Sequence, residues 1–252
     1  MLQQTQVDRV VPKYLAWKQR WPTTADLASA RLPDVLRIWS GLGYNSRALR
    51  LREAARQVME RFNGRWPTDI SVLESLPGFG PYTARAVASF AHGTDHGVID
   101  TNVRRVVGRL MYGVRPPRPD QLKKTVETLV PARRGSEWNA ALMDFGSAVC
   151  TSRAPKCATC PMQSICRAYP AILVELAATP SRPAQPFTST DRFWRGEILR
   201  QVLHRPRLTR RGLLNRLRHR GFVSTKRFQT LLDGMSRDCL IQVVGETVRV
   251  AK

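Results

Sequence analysis

The chain is poor in acidic residues, poor in cysteine and free of long apolar runs, and each shortage excludes something. No hydrophobic stretch approaches the roughly 20 residues that a membrane-spanning helix needs, so no association with a membrane is expected. The opening residues, Met1 to Gln6, offer neither the basic segment nor the apolar core of a secretory signal, so the expected location is cytoplasmic. Five cysteines in 252 residues, without such a signal, argue against a disulfide framework. Asp and Glu number 19 against 41 Lys and Arg, a formal net charge of +22 at pH 7. An excess of that size suits a polyanionic partner bound in a salt-dependent way, although a ribosomal association or a merely solvated Arg-rich surface also accommodates it.

What is present reads mainly as helix. Val7 to Arg20 places Val10, Val11, Tyr14, Leu15 and Trp17 on an approximate helical face. Short helices are expected from Thr24 and from Pro33, and Ser46 to Phe62 is a long amphipathic stretch stopped by Asn63-Gly64. Between about Ala177 and Thr190 three prolines interrupt any periodicity, which predicts an extended linker. Beyond it, Asp191 to His204, Thr209 to Arg218 and Thr225 to Asp238 read as helices. Leu240 to Val244 and Thr247 to Val250 read as a hairpin about Gly245-Glu246. Three helices and a hairpin make a winged-helix-like α+β pattern, or else a small helical extension with no role toward DNA. The arginines at 205, 207, 210, 211, 216, 218 and 220 could track phosphates or form a solvated face.

Three local patterns carry chemistry. Cys150, Cys157, Cys160 and Cys166 are spaced C-x6-C-x2-C-x5-C, a set of thiolates suited to an iron–sulfur cluster or structural zinc, while Cys239 stands apart as a small apolar residue. Leu76-Pro77-Gly78-Phe79-Gly80 runs directly into Pro81-Tyr82-Thr83, a tight turn followed by a helix start that can hold a phosphate without reading sequence. Asp100 precedes a helical run from Val103 to Leu110, and by itself reads as an N-cap.

In this order and spacing, hairpin, aspartate and cysteines resemble the helix-hairpin-helix DNA glycosylases with an iron–sulfur loop, the endonuclease III superfamily. Within it the chain is most similar to the adenine DNA glycosylase family. The matching segments are Met1 to Val7, Trp39-Ser40-Gly41-Leu42-Gly43-Tyr44, the hairpin, Asp100 to Val103, and Trp138 to Gly146, and with the cysteines the resemblance covers about residues 1 to 170. It implies a mostly α fold with a helix-hairpin-helix domain at 1–95 and a 4Fe–4S cluster module at 96–176, and the pattern described above adds a linker at 177–190 and a winged-helix-like domain at 191–252. It also implies a monomer that binds double-stranded DNA containing a mismatched or damaged base pair. The activity implied is hydrolysis of the glycosidic bond of adenine opposite 8-oxoguanine or guanine.

Residue by residue, the resemblance makes Asp100 the group that stabilises the cationic sugar, with Asn102 holding it. Tyr82 stands where endonuclease III has its lysine. Having no amine, it implies a glycosylase without strand cleavage, though a packing role fits too. Gln3, Gln4 and Thr5 fall in the segment that enters the base stack, Leu42 and Tyr44 on the contact to the opposite base, Asp144 near the extruded adenine, and Gly78 and Gly80 in the phosphate-binding turn. The four cysteines become ligands of a 4Fe–4S cluster.

The resemblance also locates three departures. The family's general acid, a glutamate, would stand two positions before Met1, so an N-terminally truncated chain of weak or no activity is expected; losing such a group costs ~10²–10⁴-fold. The segment after the linker is too short for the larger domain that recognises 8-oxoguanine. Thr101 replaces a usual Gly. A thymine or uracil mismatch glycosylase and a non-catalytic DNA-binding homologue are the alternatives.

Overall fold

Local start and stop signals account for the helices at the N-terminal end. Val7–Arg20 (α1), Thr24–Ser29 (α2), Leu32–Trp39 (α3) and Ser46–Phe62 (α4) follow one another closely. A reciprocal capping box opens α2: Thr23 Oγ1 accepts from Asp26 N, and Asp26 Oδ2 accepts from Thr23 N at 3.0 Å. Pro33 sits in the first turn of α3, where its missing N–H costs nothing. Asn63 takes the left-handed conformation that ends α4. The computed structural model describes residues 1–2, 5–179 and 185–251.

The chain gathers into two units, Met1–Trp66 with Ala184–Lys252, and Pro67–Pro183. In the first, Trp17 meets Trp21 and Trp39 edge-to-face, with ring centroids 4.9 and 5.8 Å apart, beside buried Leu32, Val35 and Leu36. The face expected of α1 is only partly used. Val10 and Trp17, two turns apart, are buried, whereas Val11, Tyr14 and Leu15 lie on a neighbouring stripe and are exposed.

The same core continues into the C-terminal segment. Asp191–His204 (α11), Arg210–Arg218 (α12) and Thr225–Arg237 (α13) are capped by Thr190, Thr209 and Ser224, whose hydroxyls accept from Phe193 N, Gly212 N and Arg227 N. The helices match the sequence expectation to within one residue. Ile241–Val244 (β2) and Thr247–Val250 (β3) form the expected hairpin, with Ile241 opposite Val250 and Val243 opposite Val248. A two-residue strand, Leu208–Thr209 (β1), adds antiparallel to the other edge of β3, giving the sheet order β1-β3-β2. The order helix, strand, helix, helix, hairpin is that of a winged helix. Trp194, Phe222 and Phe228 form an edge-to-face row through its middle.

The second unit comprises Ile70–Glu74 (α5), Pro81–His92 (α6), Thr101–Tyr112 (α7), Pro119–Leu129 (α8), Gly135–Ala148 (α9) and Ala171–Ala178 (α10). Val103 and Val107 of α7 pack on Leu122 and Val126 of α8. Against α9 the approach of α7 is closer. A Cβ placed on Gly146 would lie 2.6 Å from Asn102 Cβ, so only glycine lets the two helices meet there.

Candidate active site

The hairpin and the aspartate lie on neighbouring elements of the second unit. Between α5 and α6 the chain turns through Gly78, whose φ of +83° belongs to the region glycine alone enters freely. Phe79 N closes the turn on Leu76 O at 3.1 Å. Gly80 then caps α6 without any side-chain partner, with Pro81 in the first turn. Such an end carries partial positive charge and is suited to an anion. One residue into α6 stands Tyr82, half-buried; burial, with the Asp100 carboxylate near it, pushes its phenol above the ordinary range.

Asp100 caps α7, as its sequence position allows, and is held from a second side. Its Oδ1 accepts from Val103 N at 2.6 Å and so caps α7, and its Oδ2 accepts from Asn102 Nδ2 at 3.0 Å. Asn102 is itself oriented, because its Oδ1 accepts from Arg105 Nη2 at 2.7 Å. Arg105 goes on to donate to Gly146 O and, through Nε, to Cys150 O, both at 2.6 Å. A chain of charge-assisted bonds thus runs from the carboxylate to the backbone of the first cysteine.

Three polar residues support the segment before Asp100. Asn139, fully buried on α9, accepts from Val98 N at 2.9 Å and donates to His96 O and Ser89 Oγ. Glu127 of α8 accepts from Gly97 N at 3.0 Å, pairs with Arg85 at 2.9 Å and bonds His96 Nδ1 at 3.0 Å. Its burial works to raise the carboxyl, but the His96, Gly97 and Arg85 bonds outweigh it and the group is held below the ordinary range. Asp95 takes Arg133 N and Gly135 N, joining this segment to the start of α9. Asp144, also on α9, is exposed. Sequence reasoning assigned no role to Arg105, Asn139 or Glu127. In a linear pattern a buried polar residue looks like a surface one.

The four cysteines are free thiols, each partly buried, and all four line one cavity together with Val106, Leu110, Phe145 and Ile172. Burial first, and then its three sulfur neighbours, push the Cys157 thiol up. Arg109 lies against the group, its Nη1 3.5 Å from Cys150 Sγ and also bonding Thr151 O. Among the described residues no set of three or more His, Cys, Asp or Glu side chains is closed around a metal-ion position. Cys239 is exposed and remote in sequence from these four.

Other expected contact residues lie in the first unit. Thr5 Oγ1 donates to Leu42 O at 3.2 Å, joining the N-terminal segment to the turn after α3, and Trp39 Nε1 donates to Gly43 O at 3.0 Å. The Leu42 side chain is buried in the core of that unit, whereas Tyr44 is 44% exposed, with φ +46°. The guanidinium of Arg192, from the start of α11, lies 4.2 Å above the Tyr44 ring. Sequence reasoning did not anticipate that contact. Gln3 and Gln4 lie outside the described residues.

A family model for the HhH-GPD superfamily of base excision DNA repair proteins matches residues 1–132. The chain belongs to this superfamily. The HhH-GPD chain is 44% identical over 201 residues to an adenine DNA glycosylase of Mycolicibacterium smegmatis, covering 79% of itself and 68% of that protein. It is 46% identical over 173 residues to the human adenine DNA glycosylase, covering 67% of itself and 32% of the human chain. It therefore spans about two thirds of the first of these relatives and about one third of the second. Among solved structures, a thermostable thymine-DNA glycosylase superposes with a TM-score of 0.63 at 31% identity, covering 67% of this chain and 79% of that one. A non-covalent endonuclease III–DNA complex superposes with a TM-score of 0.59 at 26% identity, covering 65% and 77%. The mostly helical, endonuclease III-like fold expected from the sequence is the fold found.

Proposed function

We propose that this HhH-GPD chain hydrolyses the N-glycosidic bond of adenine mispaired with 8-oxoguanine or guanine in duplex DNA. The observation that carries the reading is Asp100: a half-buried carboxylate, held by Val103 N and Asn102, with the phenol of Tyr82 where an amine would permit strand cleavage. As the bond from adenine nitrogen to the sugar C1′ breaks, positive charge develops on the sugar, and a fixed carboxylate stabilises it by several kcal/mol in a site that excludes water. Water then adds to C1′, and the base leaves carrying a proton. By resemblance that proton comes from a glutamate two positions before Met1. Tyr82 has no nitrogen with which to form a Schiff base, so strand cleavage is not expected.

The bond is unreachable inside a duplex, so the adenine must be extruded. In this reading the Gly78 to Gly80 turn and the start of α6 hold a phosphate, and Gln3, Gln4 and Thr5 enter the stack. Leu42 and Tyr44 face the opposite base, Leu42 through its backbone because its side chain is buried. Asp144 approaches the extruded adenine. Cys150, Cys157, Cys160 and Cys166 hold a 4Fe–4S cluster. Four thiols around one apolar-walled cavity, with Arg109 against them, fit that donor set. When bound, the cluster would cross-link the 150–166 loop, and Arg105 connects that loop to Asn102.

The deciding experiment is single-turnover base release from duplexes holding A opposite 8-oxoguanine, or T or U opposite G. It is run with this chain and with a form extended upstream through the glutamate. Adenine release by the extended form, with no strand cleavage, is the expected result. Release of T or U instead would transfer the chain to the activity named for its thymine-DNA glycosylase neighbour. Duplex binding without release of any base would make it a non-catalytic homologue. Zinc in place of iron and acid-labile sulfide would overturn the cluster assignment.

A further inference from the structure

We propose that the face of the C-terminal segment built on α12 is a second contact surface for duplex DNA, one that tracks phosphates and does not read sequence. It rests on the reading of the chain as a duplex-DNA enzyme, but the residues of the excision site play no part in it. From His204 to Arg220 the sequence holds seven arginines and no acid. The fold sorts them. Leu213 and Leu217 turn α12 toward the core, and the opposite stripe of Arg211, Asn215 and Arg218 is exposed. Arg205 and Arg207 are exposed just before that helix, and His219 and Arg220 just after it.

Four of the five acids of the segment are engaged elsewhere; the fifth, Glu246, is exposed in the hairpin turn, where its backbone carbonyl accepts from Arg210 N. Asp191 pairs with Arg227, Glu197 with Arg200 and Arg220, and Asp238 with Arg195. Asp233 accepts from Gln229 at 2.7 Å. Among the described residues, no ion pair reaches Arg205, Arg207, Arg211 or Arg218. Arg218 donates only to the neutral Thr225 Oγ1, at the start of α13, so its charge is uncompensated. Four like charges gathered on one short helix and its approach repel one another, and a polyanion is the partner that relieves them. The nine residues of α12 span roughly 13 Å, about four base-pair steps of a duplex strand.

The architecture suits that partner. In helix-turn-helix proteins the first helix crosses the backbone and the second enters the major groove. Here the helix in the second role, α13, is poorly equipped to read bases. Its outward Gln229 is held by Arg210 at 2.5 Å and by Asp233, and the Asp233 carboxylate faces outward on the same side. The contact therefore belongs to α12 and the arginines flanking it, and it is to phosphates.

The test uses the full chain and an undamaged duplex of about 30 base pairs, so it gives an answer even when no base is ever released. One variant carries Arg205→Gln, Arg207→Gln, Arg211→Gln and Arg218→Gln; a second carries Lys at the same four positions. The Gln set is expected to flatten the dependence of log Kd on log salt by about three to four units, since each phosphate that is no longer neutralised lowers the slope by roughly 0.9. A backbone footprint should show those phosphates unprotected. Since a point charge suffices for a phosphate, the Lys set should keep slope and footprint. An unchanged slope and footprint in the Gln set would return these arginines to solvent and overturn the proposal. A slope that collapses equally in the Lys set would overturn it too, because the arginines would then be serving the fold.

Discussion

Two carboxylates, one in each unit, are held by hydrogen bonds from neighbouring side chains, and they differ in how many of their lone pairs are taken. Glu197, 6% exposed on α11, accepts four bonds: two from Arg200, one from Gln201 and one from Arg220. A carboxylate has about four acceptor positions, and these four bonds, three on Oε1 and one on Oε2, match that capacity in number. Asp100 accepts from Val103 N and Asn102 and is only half-buried. Its remaining acceptor positions are open to a reacting group. Saturation suits a carboxylate to a structural role, and incompleteness with fixed orientation suits Asp100 to the chemistry proposed for it. Arginine is close to both, directly at Glu197 and through Asn102 at Asp100, so proximity of charge alone does not separate the roles.

The largest expected effect breaks the comparison on the chemical side. Asp100→Asn keeps an oxygen for Val103 N, so the cap survives, but its amide nitrogen faces the Asn102 Nδ2 donor and that bond is lost, so a stability cost of about 1 kcal/mol is expected. Base release by the extended form should fall by about 10²–10³-fold, the usual size of one preorganised electrostatic contact. Single-turnover release measured beside a thermal melt separates the two. A variant retaining release within tenfold would demote Asp100 to a cap.

Breaking the structural side should show the reverse pattern. Glu197→Leu leaves Arg200 and Arg220 without their partner and should destabilise by about 2–3 kcal/mol. That is below the range for fully buried pairs because both guanidiniums keep solvent. Release per folded molecule should not change. Burial tends to raise the Glu197 carboxyl, but bonds from Arg200 and Gln201 and the Arg200 and Arg220 charges hold it below the ordinary range. A group depressed in this way contributes stability above its unfolded value and loses it as pH falls through the folded one. The stability gap between wild type and Glu197→Leu should accordingly be full near pH 7 and shrink below about pH 4.5, the ordinary glutamate value. A gap that widens in acid would mean the pair is not what holds the segment.

The smallest effect sharpens the comparison where the aspartate's support is packed. Gly146→Ala drives a Cβ against Asn102, so α7 and α9 must part by several tenths of an ångström. We expect a cost of about 1–2 kcal/mol in stability, in line with other overpacked sites, with a further loss of release as Asn102 tilts from Asp100. Equal stability with unchanged release would show that the crossing tolerates the methyl.

Much of this was legible beforehand, for identifiable reasons. Helices α4, α11 and α13 announce themselves through periodicity, caps and stop residues, and Asp100 through its place before α7. What escaped depends on partners distant in sequence. The pairing of β1 with β3 joins Leu208 to Val248, too short a strand to leave a pattern. Asn139 reaches Val98 from 41 residues away, and nothing local marks it as buried. Leu42 was singled out as a contact residue, yet its side chain belongs to the core. A motif reports that a position matters without saying whether backbone or side chain is what matters.

The first unit is assembled from the two ends of the chain, with 67–183 emerging between them. During synthesis the ribosome releases Trp17, Trp39 and their neighbours long before Trp194, Leu213 and Val248 exist to cover them. At 5–20 residues per second that interval lasts on the order of 10–40 s. The contiguous second unit can close around Asp100 and the four cysteines in the meantime. The N-terminal helices must wait for β3, the central strand of the sheet. For that time the tryptophan cluster is apolar surface without its cover.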